Sequence, residues 1–91
     1  MSNNFSKKIR IFSQKFSLDS AEVGKKYKIV LCTLPGEVKT RLAELGLVKD
    51  STVAVLKKAP LGDPLEISVR GYSLCLRAKE AKGFTVILEE Q

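Results

Sequence analysis

Residues 65–76 alternate twice across a bend. Leu65, Ile67 and Val69 interleave with Glu66, Ser68 and Arg70; after Gly71-Tyr72, Leu74 and Leu76 interleave with Ser73, Cys75 and Arg77. Successive side chains of a strand point to opposite faces, so each run offers one apolar and one polar face. A slip of one residue would turn Ile67 and Val69 to water, which pins the register. Gly71 makes the bend between the runs. The chain is therefore bound to an antiparallel sheet with one covered face, and this hairpin is its centre.

The flanking segments fit that sheet. Tyr27 to Leu34 is rich in Ile, Val and Leu and reads as a strand. Pro35-Gly36 marks a turn. Glu37 to Leu45 reads as a short helix, with Val38, Leu42 and Leu45 on one stripe. Glu37 precedes Arg41 by four residues, the favourable order for a surface pair. Gly46 stands where a left-handed helix cap is expected, which would let Leu47 fold back onto the core. Thr52 to Lys58 alternates around Val53 and Val55. Residues 77–82 suffice for one or two helical turns ended by Gly83, and Phe84 to Leu88 closes the sheet. Asp19 to Gly24 reads as a turn or a single helical turn. About five strands, one inserted short helix and one short helix near the C-terminus predict a mainly β fold. An SH3-like barrel is the first expectation and an OB-type barrel the second, because closure removes the exposed edges of so small a sheet.

Ninety-one residues suggest one domain with a modest core. No apolar run approaches the roughly 18 residues that span a bilayer. The N-terminus is basic without an apolar stretch behind it, which predicts a protein that stays in the cytoplasm. Cys32 and Cys75 lie far apart and form no CxxC pair, so both are expected as reduced, small apolar residues, with Cys75 partly exposed. The formal net charge is +6, yet residues 1–16 hold +4 of it through Lys7, Lys8, Arg10 and Lys15. A nucleic-acid domain would concentrate charge on its folded body. The body here is nearly balanced, which argues against nucleic acid as the partner. Tyr27, Tyr72 and Phe84 are too few rings for a stacking platform, and the two tyrosines suit a barrel rim.

Residues 1–16 read as an arm, and residues 17–91 as the domain. At a helical period Phe5, Ile9, Phe12 and Phe16 share a face, as in helices that lie on membranes or in a partner's groove. Lys8 to Phe12 also alternates as a strand, and a basic terminus is often free.

The run Pro60-Leu61-Gly62-Asp63-Pro64 invites a catalytic or metal reading of Asp63. The chain contains no histidine, so no His–carboxylate pair or nucleophile–His relay exists. Acids are scattered without ligand spacing, and two thiols are half a zinc site. No phosphate loop is present. No catalytic residue, metal ligand or cofactor is therefore assigned. Pro60, Gly62, Asp63 and Pro64 are turn formers, with Asp63 expected in an Asx-type turn. Composition and spacing thus lead to a small binding module.

The order of motifs leads further. Leu42-x-x-Leu45-Gly46-Leu47, Val53-x-Val55, Ala59-Pro60-Leu61-Gly62-Asp63-Pro64, Val69-x-Gly71-Tyr72, Leu76-Arg77 and Glu80-Ala81 follow one another at set intervals. This series resembles the ferrous iron transport protein A family, over about residues 16–89. The family is a small cytosolic accessory of bacterial Feo-type iron uptake. The resemblance implies an SH3-like barrel and a non-enzymatic role. It also implies, as partner, the large Feo membrane permease with its cytosolic GTPase domain. Many relatives carry glycine where Asp50 stands, so Asp50 must serve the turn before Thr52. The arm lies outside the shared motif; a free or self-docked arm is the first reading of it, and contact with a membrane surface or a partner the second. SH3-type barrels bind peptides along loops and grooves. Leu61, Gly62, Asp63, Arg70, Tyr72 and Arg77 are accordingly the candidate partner-binding residues, with Leu61 as an apolar anchor. Gly46, Pro60, Pro64, Gly71 and Gly83 are the expected turn and cap residues. A nucleic-acid-binding or metal-responsive regulatory module is the second reading. Pairing of chains through the Leu61 loop or an exposed edge is left open.

Overall fold

A computed structural model describes residues 14–89. Six strands form one antiparallel sheet: β1 (Lys15–Ser17), β2 (Lys26–Cys32), β3 (Thr52–Lys58), β4 (Leu65–Val69), β5 (Tyr72–Leu76) and β6 (Phe84–Leu88). Helix α1 (Gly36–Glu44) connects β2 to β3, and α2 (Ala78–Ala81) connects β5 to β6. The strand order is β1-β6-β2-β3-β4-β5, so the β4–β5 hairpin, expected at the centre, lies at one end of the sheet. The architecture is mainly β, as the sequence predicts, with one strand more than expected.

The extra strand is β1. Residues 15 and 16, assigned to the arm by the sequence, pair with β6 through Lys15↔Ile87 and Phe16↔Val86. Phe16 is half-buried, packs on the core, and meets the Tyr27 ring edge-on at 6.0 Å. The helical face proposed for the arm thus does not include Phe16. Its other members, Phe5, Ile9 and Phe12, lie outside the described residues.

Two bulges bend the sheet. Between β2 and β6 the register shifts at Val30, and between β3 and β4 it shifts at Leu56. An extra residue in one strand kinks it and increases the twist. That curvature brings the two ends of the sheet round a single core. Leu18, Ile29, Val53, Val55, Leu65, Ile67, Val69, Leu76, Phe84 and Val86 are buried there, and α1 adds Leu42. No polar or charged residue is buried among the described residues. Burial of one such side chain is worth about 1.5–3 kcal/mol, which is the main force on the fold. A parallel bridge from Val23 to Val55 and the bond from Gly24 N–H to the Val55 carbonyl, 2.9 Å, tie the first connection down.

After α1, the Gly46 N–H donates to the Ala43 carbonyl at 2.9 Å and the Leu47 N–H to the Leu42 carbonyl at 3.0 Å, with Gly46 at φ +107°. This is the two-bond Schellman closure. Leu47 is buried behind it. Asp50 does adopt a left-handed φ of +73°. Two expectations need correction. Tyr27 is core rather than rim: its hydroxyl accepts the Glu22 N–H at 2.9 Å, so the polar tip is satisfied and the ring is buried. Arg41 turns away from Glu37 and pairs with Glu80 at 2.9 Å, linking α1 to α2.

Candidate functional site

The connection from β3 to β4 is a constrained tip. Its Gly62 N–H donates to the Ala59 carbonyl at 2.7 Å, and Ala59 N–H donates to the Pro64 carbonyl at 3.0 Å. Pro60 fixes one torsion, and Gly62 takes φ +83°. Leu61 is held out at the apex with 96% of its surface exposed.

Asp63 acts at longer range than an Asx turn. Its Oδ1 accepts the Ala78 N–H at 2.9 Å, capping the start of α2. A four-residue helix cannot stand alone, because nucleation costs more than so few bonds return. It is held by that carboxylate and by Glu80. Glu80 Oε1 accepts the Arg77 N–H at 3.0 Å, and Oε2 accepts from Arg41. The loop tip and Arg77 are thus joined at one end of β5.

Arg70 and Tyr72 sit at the other end. Arg70 (φ +53°) and Gly71 (φ +85°) are the two central residues of the β4–β5 turn. Both positive angles mark the primed turn that matches strand twist. Tyr72 lies half in water, and its hydroxyl donates to the Leu45 carbonyl, at the end of α1. The Arg70 side chain lies over Gly46, where a Cβ would come within 3.0 Å of Cδ. Five strand residues span roughly 17 Å. The six candidate residues therefore form two clusters, one at each end of β5, and not a single site.

A groove of about 350 Å³ lies beside the first cluster, on the outer face of the sheet. Its walls include Pro60, Pro64, Lys57, Lys58, Glu66 and Cys75. Lys57, Glu66 and Cys75 are cross-strand neighbours on β3, β4 and β5. Lys57 Nζ stands 3.7 Å from Glu66 Oε1. The sequence carried a signal for the last two, since the alternation of β4 and β5 turns them outward. A second hollow of about 220 Å³ lies between β2 and α1, where Leu31 and Val48 are exposed beside Lys39 and Lys49. Sequence reasoning did not find it, because Leu31 belongs to an unbroken apolar run.

Cys32 is half-buried, Cys75 is exposed, and both are free thiols. Among the described residues no group of three or more acids or cysteines gathers as a metal would require. No described helix is long and apolar enough to cross a membrane.

Comparison with known proteins adds a family. The model of the FeoA domain matches residues 16–87. The chain superposes on the FeoA protein of Chlorobium tepidum with a TM-score of 0.78 and 35% identity, covering 82% of this chain and 71% of that one. A FeoA-like protein of Clostridium acetobutylicum gives 0.76 and 30%, covering 88% and 93%. Stenotrophomonas maltophilia FeoA, solved with zinc, gives 0.65 and 28%, covering 81% and 89%. That protein is described as a prokaryotic SH3 domain protein and a candidate activating factor for ferrous iron transport.

Proposed function

The chain belongs to the FeoA family, which is associated with ferrous iron transport, and from that premise we propose that it is a non-enzymatic accessory of the Feo permease. It works by protein–protein contact on the cytosolic side, against the permease region that carries the GTPase domain. One observation supports this reading above others: the exposed Leu61 at the apex of a turn braced by two backbone hydrogen bonds. An apolar side chain kept in water by a rigid turn loses little entropy when a partner covers it. Binding energy in such contacts concentrates in a few well-packed apolar residues.

The test is affinity between the purified chain and the permease's cytosolic region. Leu61→Asp is expected to weaken binding by tenfold or more, equal to about 1.4 kcal/mol, with the melting temperature unchanged. Absence of binding by the unaltered chain would remove the accessory reading.

A further inference from the structure

Strand β5 ends the sheet. Among the described residues nothing pairs with its outer edge. Edges in water are ordinarily blunted by charge, proline, a bulge or shortness. The opposite edge, β1, has three residues and a lysine. β5 has five, Tyr-Ser-Leu-Cys-Leu, with no charge, no proline and an unbroken register to β4. In a hairpin closed by a two-residue turn, Tyr72, Leu74 and Leu76 exchange their backbone bonds with β4. Ser73 and Cys75 then direct both N–H and C=O outward. Two donors and two acceptors stand ready for another strand.

The charges around this edge select its occupant. Arg70 and Arg77 flank β5 and are exposed; of the two lysines lining the adjoining groove, Lys57 pairs with Glu66 and Lys58 donates to the Asp19 carbonyl at 3.1 Å. The nearby acids are engaged: Glu66 with Lys57, Glu80 with Arg41 and the Arg77 N–H, Asp63 with the Ala78 N–H. A second copy paired antiparallel would set Arg70 beside the other copy's Arg77 at both ends. The chain's own residues 1–13 bring Lys7, Lys8 and Arg10 and no acid. Like charge disfavours both occupants.

We propose that β5 is a strand-addition site for an extended peptide segment with acidic residues at its ends. The segment pairs with Ser73 and Cys75, sets its carboxylates against Arg70 and Arg77, and places an apolar side chain in the Pro60–Pro64 groove. Main-chain bonds supply affinity in this mode, while pockets and charge supply specificity. It deepens the accessory reading by naming the surface that meets the partner. Its test needs no permease, so the two can fail separately.

The probe is a synthetic peptide of alternating valine and threonine between pairs of glutamates, followed by amide hydrogen exchange on the full-length chain. The peptide is expected to slow exchange at Ser73 and Cys75 and to leave β1 unchanged. Ser73→Pro removes one outward donor and is expected to abolish binding. Should that variant unfold, Arg70→Glu and Arg77→Glu carry the same test on an intact backbone. Each is expected to weaken binding roughly two- to fivefold, the range of one exposed ion pair. Substituting lysines for the glutamates should abolish binding. Lack of binding by the acidic peptide, protection at β1 instead of β5, or equal binding of both peptides would overturn the proposal. So would self-association of the free chain through β5.

Discussion

Gly46 and Gly83 are both helix-ending glycines in the sequence, yet they are glycines for different reasons. Gly46 needs its backbone: φ is +107°, and a Cβ there would also press on Arg70 at 3.0 Å. Gly46→Ala is expected to cost about 1–2 kcal/mol in a urea titration. Gly83 has no left-handed angle. A Cβ there would fall 2.4 Å from Leu34 Cδ2, inside that side chain. Gly83→Ala is expected to cost about 1–3 kcal/mol through overpacking. The double variant with Leu34→Ala should cost less than the sum of the two single changes, because they share one space. The first role was legible, since Gly46 follows the helical stripe directly. The second was not, since Leu34 lies far off in sequence and only the fold brings it close. Arg70 holds a left-handed angle with an ordinary side chain. Arg70→Asn creates the favoured Asn-Gly turn and should raise stability by about 0.5–1 kcal/mol on thermal melting, while weakening any acidic partner.

Elements with a local cause were readable from the chain alone. The β4–β5 hairpin and α1 carry their own period and their own terminators, and the structure places them within a residue or two of expectation. β1 carries neither. Three residues inside a basic stretch with a helical period become a strand only because β6 lies alongside. The α2 start is only half local: Glu80 accepts the Arg77 N–H from within the helix, while the Ala78 N–H is capped by Asp63 in the β3–β4 connection. Asp63→Ala should lower stability by about 1 kcal/mol in urea titration, and Asp63→Asn by less, because the amide oxygen can still accept. The candidate site was half legible for the same reason. Turn chemistry exposed Leu61, Asp63 and Gly71 to inspection. The division of the six residues between the two ends of β5 depends on topology, and the groove depends on three strands meeting.

At the scale of the whole molecule, most of the net charge and the β5 edge lie on different parts of the chain. Residues 1–16 hold +4 of the formal +6, and most of them fall outside the described region. Held against an anionic surface, each cation can contribute about 1 kcal/mol. Co-sedimentation with vesicles rich in phosphatidylserine should fall when residues 1–13 are removed; equal pelleting of both forms would reject a membrane role for the arm. The strand order has a separate consequence for how the chain is made. β6, the last of the six described strands in chain order, lies inside the sheet, between β1 and β2. Neither β1 nor the β2 side of the sheet can complete its ladder until Phe84–Leu88 has left the ribosome. Contacts between the first and last strands are slow to form, because a long loop must close before they return any energy. The β3–β4–β5 meander can assemble while translation is still running; the rest of the sheet waits for β6.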